Sequence, residues 1–208
     1  YAFASYFGRM NYSLDSKYFL DLSVRNDQSS RFGRNLRSAN FYSVGAMWRA
    51  KNEKFIQSIK WINDLTVKGS IGTSGNSSIG NYQSLATVGT NLYNATPGWG
   101  IGSAGNPELS WETQRQINVG VQATLFNRLN LDVEYFDRLT SSMLISVPYP
   151  YTTGFSSITS NVGSLRNAGF NANINYDFIK KKSSNLNVYA NIGYVEQKIT
   201  ELFQGKKF

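Results

Sequence analysis

The sequence predicts an all-β fold: a wall of an antiparallel transmembrane β-barrel, about eight strands wide. Three observations point there. Segments of about ten residues or more alternate apolar and polar side chains, as strands that cross a bilayer at a tilt do. The links between them run short, then long. Tyrosine and tryptophan recur near the ends of the apolar faces.

Successive side chains of a strand point to opposite faces, so each segment divides by parity. In 17–28, Tyr18, Leu20, Leu22 and Val24 oppose Asp21, Ser23, Arg25 and Asp27. In 39–50, Tyr42, Val44, Ala46 and Trp48 oppose Ser43, Gly45 and Arg49. In 112–125, Ile117, Val119, Val121, Ala123 and Leu125 oppose a face of Gln114, Gln116, Asn118, Gln122 and Thr124. In 129–140, Leu129, Leu131, Val133 and Tyr135 oppose Asn130, Asp132, Glu134 and Arg138. In 165–179, Ala168, Phe170, Ala172, Ile174, Tyr176 and Phe178 oppose Asn171, Asn173, Asn175 and Asp177. In 185–199, Leu186, Val188, Ala190, Ile192 and Tyr194 oppose Asn187, Asn191 and Gly193. Segments 1–14 and 64–74 follow the rule less cleanly and bring the count to eight.

Alternation alone also fits a soluble sandwich. Strand length separates the two, since soluble strands average about 5–6 residues. The connections separate them further. Asp15-Ser16, Phe126-Asn127-Arg128 and Lys180–Ser184 are short, whereas 29–38, 75–111 and 141–164 are long. Short turns on one rim and long loops on the other are the outer-membrane arrangement. The link 51–63 is intermediate. Phe55, Ile56, Ile59 and Ile62 fit one helical face, so a short helix is expected on the short-turn rim. Tyr12, Tyr18, Tyr42, Trp48, Tyr135, Tyr176 and Tyr194 have the ring and polar tip that suit a lipid–water interface.

Composition removes several function classes. No stretch approaches the ~18–20 apolar residues of a membrane-spanning helix. With no cysteine and no histidine among 208 residues, thiol and imidazole chemistry are unavailable. Asp132 and Glu134 lie two apart on one strand face and could mimic a glycosidase pair; on an alternating polar face they read as lining a solvated lumen. The carboxylates lack metal-loop spacing, and Gly98–Gly102 has no helix signal after it, so it is no phosphate loop. The expectation is no catalytic residue, no metal and no cofactor. The formal charge of +8 would allow nucleic-acid binding, but apart from Lys180–Lys182 and Arg31, Arg34 and Arg37 the basic residues are dispersed. Nucleic acid is therefore not an expected partner.

Several segments resemble one family, the SusC/RagA-type TonB-dependent importers of Bacteroidetes outer membranes. They are Phe7–Tyr12, Arg25–Gly33, Phe41–Arg49, Trp61–Leu65 with Gly69–Asn76, Asn106–Glu112, Pro148–Pro150 with Thr153-Gly154, and Asn161–Gly163 with Arg166–Gly169. Their order and spacing cover nearly the whole chain. Gln28 stands where the family usually has glycine, a change expected to affect a loop turn. The resemblance implies a barrel of about 22 strands closed by a plug. This chain would supply a middle-to-late part of the barrel domain, over 1–208, without the plug or the final strands. It further implies import of oligosaccharides or oligopeptides, a SusD-like surface lipoprotein as partner, and energy from TonB. Gly72, Gly75 and Gly80 are expected to let the backbone turn into a long loop; Asn106-Pro107 marks a turn back, and Trp111 falls near an interface end.

Ligand contact is expected from the long loops, where Tyr82, Tyr93 and Trp99 could stack on sugars or hold peptide side chains. Arg31, Arg34 and Arg37 could grip lipopolysaccharide phosphates. Two other readings stay open. One is a passive pore or small self-contained barrel, favoured by the even strand count and Phe208, and opposed by the non-alternating Glu201–Phe208. The other is a soluble β-rich binding module. Tyr1–Tyr6 lacks a leader's basic and apolar regions and reads as a strand in progress.

Overall fold

The computed structural model describes residues 1–181 and 183–202; the side chains of Asn91 and Tyr93, with Lys182 and 203–208, lie outside the description. The strands in chain order are β1 (Phe3–Leu14), β2 (Tyr18–Ser29), β3 (Ser38–Arg49), β4 (Ile62–Asn76), β5 (Thr87–Tyr93), β6 (Thr96–Ser103), β7 (Glu112–Leu125), β8 (Leu129–Ser141), β9 (Leu144–Pro148), β10 (Ser157–Asn161), β11 (Ser164–Lys181) and β12 (Ser184–Glu201). One sheet of eight runs β1-β2-β3-β4-β7-β8-β11-β12, every neighbour antiparallel. These are the eight expected segments.

Register joins their apolar faces into one. Leu22 pairs with Val44, Val44 with Ile71, Ile71 with Ile117. Farther on, Val121 pairs with Val133, Val133 with Ala172, and Ala172 with Ile192. A one-residue slip anywhere would move a whole strand's apolar set to the polar side. The aromatics sort into two bands on this face. Tyr12, Tyr18, Trp48 and Tyr176 lie toward the short turns. Tyr42 and the row Tyr135–Phe170–Tyr194 lie toward the long loops. Phe170 and Tyr194 stack at 5.9 Å.

Two of the short turns span three residues, 15–17 and 126–128, and the first two of each are left-handed: Asp15 and Ser16 (φ 50° and 53°), Phe126 and Asn127 (φ 55° and 54°). That backbone matches the right-handed twist of the flanking strands. The 50–61 link carries a 3₁₀ turn and the helix α1 (Lys54–Gln57), which buries Ile56. The helix is a single turn; Ile62, expected on its face, opens β4 instead. Lys51 Nζ donates to the carbonyls of Ile56, Gln57 and Ile59 at 3.0–3.3 Å, satisfying the end of α1. Glu53 ties this link to the β1–β2 turn: it accepts from Tyr18 Oη at 2.5 Å and pairs with Lys17 at 3.2 Å.

Three expectations change. Gln28 is no turn residue: it sits in β2 opposite Ala4 and Ser38, and its amide donates to Asn26 Oδ1. Gly72 and Gly75 are needed for close approach rather than for turning. A Cβ on Gly72 would lie 2.9 Å from Ser43 Cβ, and one on Gly75 2.1 Å from Phe41 Cζ. Trp111, expected as an exposed ring at an interface end, is instead 5 % exposed and packs between Phe3, Phe32 and Phe41.

Candidate functional site

Two surfaces are open to a ligand: the polar face of the sheet and the long-loop rim. On the polar face of β1–β3, charges come in pairs. Arg9 reaches Asp21 at 2.5 Å, and Asn11 also donates to that carboxylate. Arg25 reaches Asp27 at 2.9 Å while lying 5.6 Å from the Phe41 ring. Asp27, buried, also accepts from Ser5 Oγ at 2.6 Å.

The centre of the face is held by Lys68 of β4. Its ammonium lies 3.6 Å from Asp132 and 3.4 Å from Glu134, both on β8. Strand β7 runs between them, and the residue opposite Lys68 there is Gly120. A Cβ at Gly120 would stand 2.7 Å from Lys68 Cε. Lys68 therefore crosses β7 over a glycine to reach the next strand. Two carboxylates sharing one ammonium belong to a charge lattice, and Gln122 extends it by donating to Asp132 at 3.1 Å. Beyond β8 the face becomes amide-rich. A shallow depression reaching from β4 across to β12 is lined by Asp64, Gln122, Asn130, Asn173, Tyr189 and Asn191. Among the described residues no group of three or more acidic side chains is placed to hold a metal ion.

The long-loop rim is organised by a buried cluster of Phe32, Phe41, Leu109 and Trp111. Trp111 Nε1 donates to the Arg37 carbonyl at 2.9 Å, and Gly33 N donates to the Leu109 carbonyl at 3.0 Å. Asn106 Nδ2 donates to Thr159 O, and Asn161 exchanges two bonds with the Ser110 backbone at 2.7 and 2.8 Å. All three long loops thus meet on residues 106–111. Sequence reading marked this segment as a turn but missed its role; the signal was Leu109 and Trp111, large apolar residues in a polar loop.

The expected ligand residues spread over this rim. Tyr82 is exposed, with a left-handed backbone (φ 65°). Trp99 stands on β6 opposite Thr90 and is 81 % exposed. On the same face of the β5–β6 hairpin stand Val88, Leu92 and Ile101, all exposed. The Tyr93 side chain lies outside the described residues. Arg31 turns inward: it stacks 4.0 Å from the Tyr1 ring and donates to Asn81 Oδ1 and the Ser77 carbonyl. Arg34 and Arg37 are exposed.

The whole of residues 1–208 matches the family described as TonB dependent receptor-like, beta-barrel. A TonB-dependent receptor of Formosa agariphila is 35% identical over 97% of this chain and 20% of its own length. The TonB-dependent receptor SusC of Bacteroides thetaiotaomicron is 32% identical over 97% of this chain and 21% of its own. Among solved structures, the RagAB peptide transporter is 48% identical over 98% of this chain and 23% of that one, with a TM-score of 0.91. The chain thus spans about a fifth of the length of the curated relatives it matches. An eight-stranded wall with one continuous apolar face is what a share of such a barrel must look like, and the chain belongs to the TonB-dependent receptor-like β-barrel family.

Proposed function

We propose that this chain is barrel wall of an outer-membrane importer that takes up oligopeptides, with oligosaccharides as the second substrate class. The observation that carries the reading is its likeness, at 48% identity and a TM-score of 0.91, to a peptide transporter. The apolar face would meet lipid and the polar face the lumen. A barrel of about 22 strands needs a plug to close it, so plug and remaining strands would come from other parts of the protein. TonB would supply the energy, and a SusD-like lipoprotein would sit on the long-loop rim. Within this reading Tyr82, Tyr93 and Trp99 are the loop aromatics offered to substrate. Arg34 and Arg37 are offered to lipopolysaccharide phosphates, with Arg31 bracing the loop. The polar face has paired charges and amides, which bind by hydrogen bonding more than by net charge. Nothing in this scheme calls for bond-breaking chemistry.

The test uses the full-length protein in its own cells. Labelled oligopeptides should accumulate, and loss of TonB should abolish accumulation. Uptake that only equilibrates and ignores TonB would mean a passive pore. A purified protein whose gel mobility in detergent does not change on boiling would mean a soluble module.

A further inference from the structure

We infer that the apolar face carries, at its long-loop end, a binding row for phosphorylated lipid headgroups, formed by Arg115, Arg166 and Lys198. The inference rests on the reading that this face meets lipid. The row comes from register. Arg115 pairs with Leu139, Leu139 with Arg166, and Arg166 with Lys198, so four neighbouring strands, β7, β8, β11 and β12, present these side chains side by side. Parity puts them on the same face as Ile117, Val119, Phe170 and Tyr194. Strands lie about 4.8 Å apart, so the three cations span about 15 Å. All three are exposed.

Depth decides what they meet. On β11 the apolar face runs from Ala168 to Ile179. At about 3.4 Å per residue that is about 35 Å along the strand, or about 25 Å along the bilayer normal at a tilt near 45°. This is the height of an outward apolar band. The cationic row lies one residue pair beyond Ala168, hence about 5 Å above the band. Headgroup layers are about 5–8 Å thick on each side. The cations therefore stand at phosphate depth, one pair above the Ile117–Asp137–Ala168–Glu196 row.

That lower row holds the two acids of the patch. Asp137 is occupied: Arg166 Nε donates to its Oδ2 at 3.0 Å and Nη2 donates to the same oxygen. The pair fixes the guanidinium plane and leaves Nη1 for a ligand. Glu196 lies opposite Ala168 on β12. Among the described residues, neither Arg115 nor Lys198 has a carboxylate within ion-pair distance. Guanidinium groups match phosphate oxygens in pairs, and a row of cations can hold two phosphates of one headgroup. The loop arginines lie over β2 and β3, so this is a separate surface.

The test takes the full-length protein in phosphatidylcholine vesicles, with and without a bisphosphorylated glycolipid. The glycolipid should raise the unfolding midpoint of the unmodified protein, and its dephosphorylated form should not. The rise should vanish in Arg115→Gln/Arg166→Gln/Lys198→Gln. If that variant does not fold, Arg115→Gln/Lys198→Gln keeps the Arg166–Asp137 pair and should lose most of the rise. An equal rise in the variants, or an equal rise with inorganic phosphate alone, overturns the inference. Absence of heat-modifiable mobility in the unmodified protein would instead overturn the membrane reading beneath it.

Discussion

Replacing Trp111 with alanine should release the long-loop rim while leaving the barrel wall in place. The indole is 5 % exposed and touches the rings of Phe3, Phe32 and Phe41 at centroid distances of 6.2, 5.0 and 5.8 Å. Truncating a buried aromatic costs about 3–5 kcal/mol. The lost bond from Nε1 to the Arg37 carbonyl adds about 1 kcal/mol, because that carbonyl must find water or go unpaired. At about 1.4 kcal/mol per tenfold, local opening of the loops should rise by about three to four orders of magnitude. Limited proteolysis of the full-length protein reads this directly. Cleavage within 75–111 and 30–37 should accelerate by at least a hundredfold, with heat-modifiable mobility retained. Trp99→Ala is the control: that indole is 81 % exposed, and its loss should leave cleavage unchanged. Equal cleavage in Trp111→Ala and the unmodified protein would refute the claim that the cluster holds the three loops together.

The assignment of faces is tested by a neighbouring pair. Val121→Arg puts a charge mid-height on the apolar face and should cost about 2–4 kcal/mol in bilayer refolding, whereas Gln122→Arg, on the polar face, should stay within about 0.5 kcal/mol; equal costs would reject the faces. A pH effect is expected at the short-turn rim. Glu53 is held below the usual carboxylate range chiefly by the hydrogen bond from Tyr18, then by that from Lys17; burial opposes them, and Trp48 Nε1 adds a lesser lowering. A depressed folded value means stability that is fully present above the unfolded value, about 4.3, and is lost as pH falls through the folded one. Amide protection factors at residues 15–17 and 50–53, taken relative to intrinsic exchange at each pH, should therefore fall on acidification below about pH 4, and Glu53→Gln should flatten that dependence.

The wall was legible because strand parity is a local property. Val121 and Gln122 declare their faces wherever β7 ends up, and the eight strands fall within a few residues of the expected segments. What stayed hidden depends on contacts remote in sequence. Trp111 sits in a buried cluster because its indole meets a carbonyl 74 residues away. The β5–β6 hairpin does alternate, with Trp99 and Ile101 set between Gly98, Gly100 and Gly102, but glycine is depleted in strands and the run reads as loop. On the polar face the types of side chain were legible but their partners were not. Asp132 and Glu134, read alone, resemble a pair of acids awaiting a task. The structure gives them Lys68 from β4, two strands away. That reach requires β4 to pair with β7 in one register, β7 with β8 in another, and a residue without a side chain between them. Gly120, unremarkable in its own strand, supplies the gap, since a Cβ there would displace the Lys68 stem. The charge lattice at the middle of this wall is thus written across three strands, and only their assembly makes it readable.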